Sequence, residues 1–143
     1  MSKLIKPDAL ADEIVSLMQQ YADEVTSDLK KDVDSVARAT VIKVKEKAPV
    51  KKSGASSKYV PGSYKNSWTS TTESENSHRK NRIVYAKGHQ YSLTHLLENG
   101  HELVLPTGKK GRRVAPIIHI KPAEEWAVNE LEQRTLKRIR EKS

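Results

Sequence analysis

The chain contains no cysteine. Disulfides and thiol catalysis are therefore excluded, and the sequence suits a reducing cytoplasm. It also contains no phenylalanine, and aromatic residues make up only 5% of it. A core must then come from Leu, Ile, Val and Ala, a lean set that points to some stability drawn from self-association. No stretch approaches the ~20 apolar residues of a membrane span. Met1 to Pro7 holds two lysines with no apolar run of signal-peptide length behind them, so no secretory address and no membrane partner is expected. At 143 residues, one domain large enough to bury a core unaided is expected.

What the chain has in excess is positive charge, +8 overall. The excess is uneven. Residues 1–48 carry 8 basic and 9 acidic groups, and residues 49–90 carry 8 and 2. Residues 91–104 carry only two acids, and residues 105–143 carry 10 basic and 5 acidic groups. A basic balance favours contact with nucleic acid or with an acidic protein surface, against the plain alternative of a solvated face.

The periodicity predicts an α+β fold: a long N-terminal helix, a small antiparallel sheet of about four strands, a short central helix and a C-terminal helix. Over 8–48, Leu10, Ile14, Leu17, Met18, Tyr21, Val25, Leu29, Val33, Val36, Val41 and Val44 form one stripe. Asp8 is the expected cap and Pro49 the stop. Such a helix would reach ~60 Å, longer than a domain of this size is wide. Either it breaks near Thr26–Ser27, or its N-terminal part reaches beyond the body. Residues 49–65 hold two Gly, two Pro, four Ser and four Lys without periodicity. They read as a mobile basic loop that orders on a partner. A hairpin is expected over 66–87 with Trp68 as its anchor, a short helix over 91–99 capped by Gly100, and a second hairpin over 102–120. Pro122 and Glu124 mark the start of a helix over 122–142. Trp126, Leu131, Thr135 and Ile139 share one of its faces.

Few residues offer chemistry. His89, His95, His101 and His119 lie close in sequence, but no pair has a tight metal-ligand spacing. His95 and His119 read as half-buried packing residues, and His89 and His101 as turn residues. Glu98 and Glu102 straddle a glycine and lack the cleft a carboxylate pair needs. A small hydrolase built on His95, Glu98 and His119 is the weakest reading. Lys109, Lys110, Arg112 and Arg113 surround two glycines but lack nucleotide-loop spacing. They read as a basic hairpin tip. No catalytic, metal or cofactor site is expected, and Lys51, Lys52, Lys58, Lys109, Lys110, Arg112 and Arg113 are the candidate partner contacts.

Taken together, YSLTHLLENGH, GRRV and HIKPAEEW resemble the gene-product-ten tail-component family named after phage Hong Kong ninety-seven. The matching positions are Leu96, Leu97, Glu98, Gly100 and His101, then Gly111, Arg112 and Val114, then His119, Ile120, Pro122, Ala123 and Glu124. Upstream, Lys47-Ala48-Pro49 and the run from Gly62 to Trp68 are also similar. The resemblance spans about 35–130. It departs in the longer loop after Pro49 and in Tyr64, which stands where the family has Leu.

The resemblance implies a virion protein of the head–tail neck and no enzyme. It implies tail completion and head–tail joining by a homo-oligomeric, hexameric ring. That ring docks on tail-tube or terminator proteins and on stopper or portal-side connector proteins. A basic nucleic-acid-binding module using the 49–65 and 106–113 loops is the competing reading. It predicts an affinity that falls steeply with salt. The two overlap, because a neck ring surrounds DNA in transit.

Overall fold

One helix, α1, runs unbroken from Leu10 to Lys47, 38 residues through Thr26–Ser27 without a kink-forming residue. In the computed structural model, residues 9–50 and 61–142 are described. The expected cap Asp8 and most of the basic loop, Lys51, Lys52 and Lys58 included, lie outside them. A short helix α2 (Ser63–Ser67) leads into strands β1 (Trp68–Glu75) and β2 (Lys80–Ala86). A 3-10 helix (Gly88–Leu93), helix α3 (Thr94–Asn99), strands β3 (His101–Val104) and β4 (Lys110–Val114) and helix α4 (Lys121–Lys142) follow.

The fold is α+β, but its strands form two separate antiparallel pairs, β1–β2 and β3–β4, where one sheet of about four strands was expected. The reason lies in the second hairpin. It was placed over 102–120, yet pairing ends at Val114. Pro116 has no N–H to extend the ladder, and 115–119 runs in irregular conformation. Residues 63–67, read as loop and strand, are one turn of helix instead. In β1–β2, Trp68 pairs with Ala86 and Glu75 with Lys80, with a register shift between Thr72 and Ser74.

The core is small. Val44, Ala48, Tyr64, Trp68, Ala86 and Ala123 are buried together, with Val41, Val84, Leu97 and Ile120 against them. The six buried residues come from four separate stretches, the end of α1, α2 with the start of β1, β2 and α4, so burial rather than local propensity holds them. Leu93, Leu96 and Leu97 are the leucines expected to seat the central helix. Only Leu97 packs on the core, and Leu93 and Leu96 are exposed. A helix of six residues presents only a narrow face to the body, and Leu97 is the one leucine on it.

α4 returns antiparallel along α1. Lys43 lies over the Trp126 ring, 5.2 Å from its centroid. Further along, Arg134 donates to Ser35 Oγ (3.0 Å). Arg138 then donates two hydrogen bonds to the buried Asp32 carboxylate, both 3.1 Å. Two residues on, Asp34 points the other way, since a two-residue step turns a helix about 200°. It binds Lys80 of β2 at 2.8 Å and faces Arg82 at 3.7 Å. α1 is thus the spine, with α4 ionically tied to one side and the first hairpin to the other.

Gly100 ends α3 at φ +73°. A Cβ there would lie 2.5 Å from the Val114 carbonyl oxygen, so the β4 backbone leaves room for hydrogen alone. Gly108 has a similar φ of +80° but open space around it. Gly108→Ala should therefore cost about 1 kcal/mol, the price of left-handed backbone alone. Gly100→Ala should cost clearly more, because β4 must also move. Urea unfolding of the two variants checks the ordering.

Candidate functional site

Glu98, His119 and Ile120, three of the residues shared by the family resemblance, meet at one buried joint. Its centre is His119, 0% exposed, where a half-buried side chain was expected. Nδ1 of His119 lies 2.7 Å from the Ile117 carbonyl oxygen and 3.1 Å from Glu98 Oε2. Nε2 lies 2.6 Å from the Tyr64 hydroxyl. A carbonyl only accepts, so Nδ1 carries the hydrogen and Nε2 accepts the Tyr64 O–H. The Tyr64 and Trp68 rings meet the imidazole edge-on, at centroid distances of 5.5 and 6.2 Å. The Trp68 indole Nε1 is buried without a hydrogen-bond partner among the described residues.

Glu98 supplies the second half of the joint. From α3 its carboxylate reaches the start of α4. Oε2 accepts the backbone N–H of His119 (2.8 Å) and of Ile120 (3.0 Å), and Oε1 that of Lys121 (3.0 Å). A helix start leaves N–H groups without intrahelical partners, and its dipole favours negative charge. Ile120 has no side-chain oxygen to act as a cap, so a carboxylate from another helix takes that place. Pro122 adds no further N–H, and Glu124 N–H to Ile120 O (2.9 Å) begins the helical ladder. The combination Glu98…His119-Ile120-Lys121-Pro122 is therefore a helix cap assembled across sequence.

Both ionisable partners respond. Burial pushes the Tyr64 hydroxyl up from 10.0 to about 12, with the Glu98 charge acting in the same direction. Burial also opposes charge on Glu98, but the N–H groups of His119, Ile120 and Lys121 outweigh it and hold its pKa below the usual value. The protein in this region can hold structure, and its two Glu98 oxygens are already committed to backbone donors.

The other singled-out residues are not brought to the joint. His95 is exposed on α3, where a half-buried residue was expected, because the short helix turns only Leu97 and Glu98 toward the body. His89 is exposed on the 3-10 helix. His101 Nδ1 is 3.4 Å from the Leu96 carbonyl, across the turn it was expected to stabilise. Among the described residues, no three His, Asp or Glu side chains cluster as metal ligands. Lys109, Lys110, Arg112 and Arg113 are exposed along β4 and the turn before it. Lys110 pairs with Glu102 at 3.4 Å, and Arg113 donates to the Asn99 carbonyl at 3.1 Å. Val114 pairs with His101 and is half-buried.

Two participants escaped sequence reasoning. Tyr64 was noted only as a departure from the family's Leu. Its hydroxyl is what the buried imidazole requires. Asp32 was not singled out either, although an acid sitting on the apolar stripe between Leu29 and Val36 was the available signal.

The sequence matches the family described as bacteriophage HK97-gp10 tail component over residues 12–100. That is well over half of the chain. The chain belongs to this tail-component family. No curated protein and no solved structure matches it. The matched region includes Tyr64, Trp68, Glu98 and Gly100 but ends before β3. His119 and the Pro122 helix start lie outside the matched region and join it through contact with Glu98. Among the described residues, no helix is long and apolar enough to cross a membrane.

The joint makes two linked predictions. Glu98 is depressed in the folded state, so its contribution is present above its unfolded pKa near 4.5 and is lost as pH falls through the folded value. Glu98→Ala should cost on the order of 3 kcal/mol at neutral pH, because it strands several N–H groups. It should also flatten the loss of stability on acidification below that pH. Tyr64 is raised, so its contribution holds below pH 10.0 and disappears as pH climbs through about 12. Tyr64→Phe should lower stability at pH 7 and remove the joint's share of alkaline unfolding. Thermal melts across pH for both variants provide the check.

Proposed function

We propose that this chain is a structural component of the head–tail neck of a tailed phage. It assembles as a ring, docks between connector proteins on the head side and terminator or tail-tube proteins on the tail side, and completes the tail without catalysing a reaction. The observation that carries this reading is the family match over residues 12–100.

Two features of the fold support it. The β3–β4 pair is an isolated two-stranded hairpin with Leu103, Val104 and Leu105 exposed. Such a hairpin is marginal in water, and its free strand edges suit pairing with another chain. Its basic tip, Lys109, Lys110, Arg112 and Arg113, then supplies electrostatic steering toward an acidic partner surface. Lys51, Lys52 and Lys58, outside the described residues, belong to the same contact set.

Deleting the gene from its parent phage should give filled heads and separate tails that do not join, counted by electron microscopy. Complete infectious particles without the protein would overturn the reading. Reversing Lys109, Lys110, Arg112 and Arg113 to Glu should leave the thermal melt within a few degrees, since these side chains touch no core residue. It should also lower the yield of joined particles at least tenfold. Wild-type joining by that variant would remove the hairpin from the contact set.

A further inference from the structure

α1 outruns the body that it organises. It is half-buried as far out as Val25 and Thr26, one turn beyond Asp28, which Arg138 of α4 approaches within 3.9 Å. From Glu24 back to Leu10 the helix continues for another ~22 Å at 1.5 Å per residue. In this overhang Leu10, Ile14, Val15, Leu17, Met18 and Tyr21 are between 41% and 66% exposed. With 3.6 residues per turn, the six fall within an arc of ~160°, with Leu17 at one edge and Val15 at the other. No Asp, Glu, Gln or Ser of the overhang lies inside the arc. Asp12 and Asp23 lie on the opposite face, and Glu13 and Glu24 border the Leu17 edge. The Val15 edge is bordered by Gln19 and carries no charge.

The position and width of the arc indicate what covers it. Leu10 and Ile14 stand five whole turns from Asp28 and Asp32, the residues that meet Arg138. The arc is therefore the outward extension of the face on which α4 packs. A two-stranded pair buries only a narrow seam, whereas ~160° is wide enough for two neighbouring helices. A lipid surface is disfavoured, because helices that lie on membranes carry basic polar faces and the charged residues here are all acidic.

The charged margin fixes the direction of packing. If two overhangs met antiparallel, their Leu17 edges would face each other, and Glu13 and Glu24 would oppose the same pair on the partner. In a parallel arrangement the Leu17 edge of one helix meets the Val15 edge of the next, so the glutamates face an uncharged margin. A ring presents every overhang at one level and in one direction, so a second copy meets this requirement without any further protein.

We propose that the Leu10–Tyr21 segments of adjacent copies pack side by side, in parallel, as a helical collar. Each helix sets its Leu17 edge against the Val15 edge of one neighbour and offers its own Val15 edge to the other. The two edges are different surfaces, so the contact is heterologous and makes a ring if the rotation closes. The inference rests on the ring reading above and names the surfaces that hold neighbouring copies together.

With no native cysteine, cross-linking reports this contact directly. A Val15→Cys/Leu17→Cys chain replaces the native one in the parent phage, and purified particles are oxidised. Both sites are more than half exposed, so the melt of the isolated variant should stay within a few degrees of the native chain. Disulfide-linked ladders longer than dimers are expected, at least tenfold above a Val15→Cys/Ser16→Cys control whose second site faces away from the arc. A ladder that stops at dimers would overturn the collar in favour of two-fold pairs. Particles that contain the chain but show no links above the control would overturn it outright. Met18→Asp, at a site 66% exposed, should leave the melt unchanged and lower the yield of joined particles at least tenfold; a native yield would also overturn the collar. Particles that are complete and infectious without the chain refute the ring reading itself, whereas particles that hold the chain unlinked refute the collar alone.

Discussion

A carboxylate set beneath a helix start holds the molecule's separate pieces in register. Glu98 belongs to a helix of six residues that could not persist alone, since isolated helices of that length are unstable in water. By accepting three N–H groups from the start of α4 it anchors both elements at once. His119 is drawn into the interior by the same bonds, and its other ring nitrogen then reaches Tyr64 of α2. Three helices far apart in sequence therefore meet at one polar point inside a core with few large side chains. Among the described residues, each buried side-chain polar group there has a partner apart from the Trp68 indole nitrogen, which is why the joint can be buried without a large penalty.

α1 transmits this arrangement outward. Asp32 and Asp34, on opposite faces, secure α4 and the first hairpin by ion pairs, beside the apolar contact that Val44 and Ala48 make with Ala86 and Ala123. Burial of the Asp32 carboxylate is tolerated because the Arg138 guanidinium meets it in fork geometry. Asp34 in turn holds Lys80 above the usual lysine range, chiefly through their hydrogen bond. Other large apolar side chains remain exposed on the N-terminal half of α1 and on β3–β4.

The elements with strong local signals were legible. The α1 stripe, the stop at Pro49, the β1–β2 hairpin, the Gly100 cap and the α4 start all follow from spacing and from residues with one dominant conformational habit. The family was legible from short motifs, although it is the N-terminal two-thirds that the family match covers. Reading failed where the deciding partner was distant. The second hairpin was drawn too long because Ile117 and Ile118 look like strand, yet the Ile117 N–H goes to Leu97 of α3. Leu96 looked like core because its pattern cannot report that the helix turns only one face inward.

Sequence alone determined that the chain is α+β, cysteine-free, basic in its middle and C-terminal parts, and built on a helix longer than its body. These are properties of composition and local period, which need no neighbour to be expressed. Tertiary structure decided that His119 is interior, that Glu98 caps a helix 23 residues away, and that Tyr64 has a hydroxyl for a reason. It also decided which half of a uniform apolar stripe is buried. The physical reason is that a side chain's role depends on what lies opposite it, and for these residues the opposite partner comes from another segment of the chain.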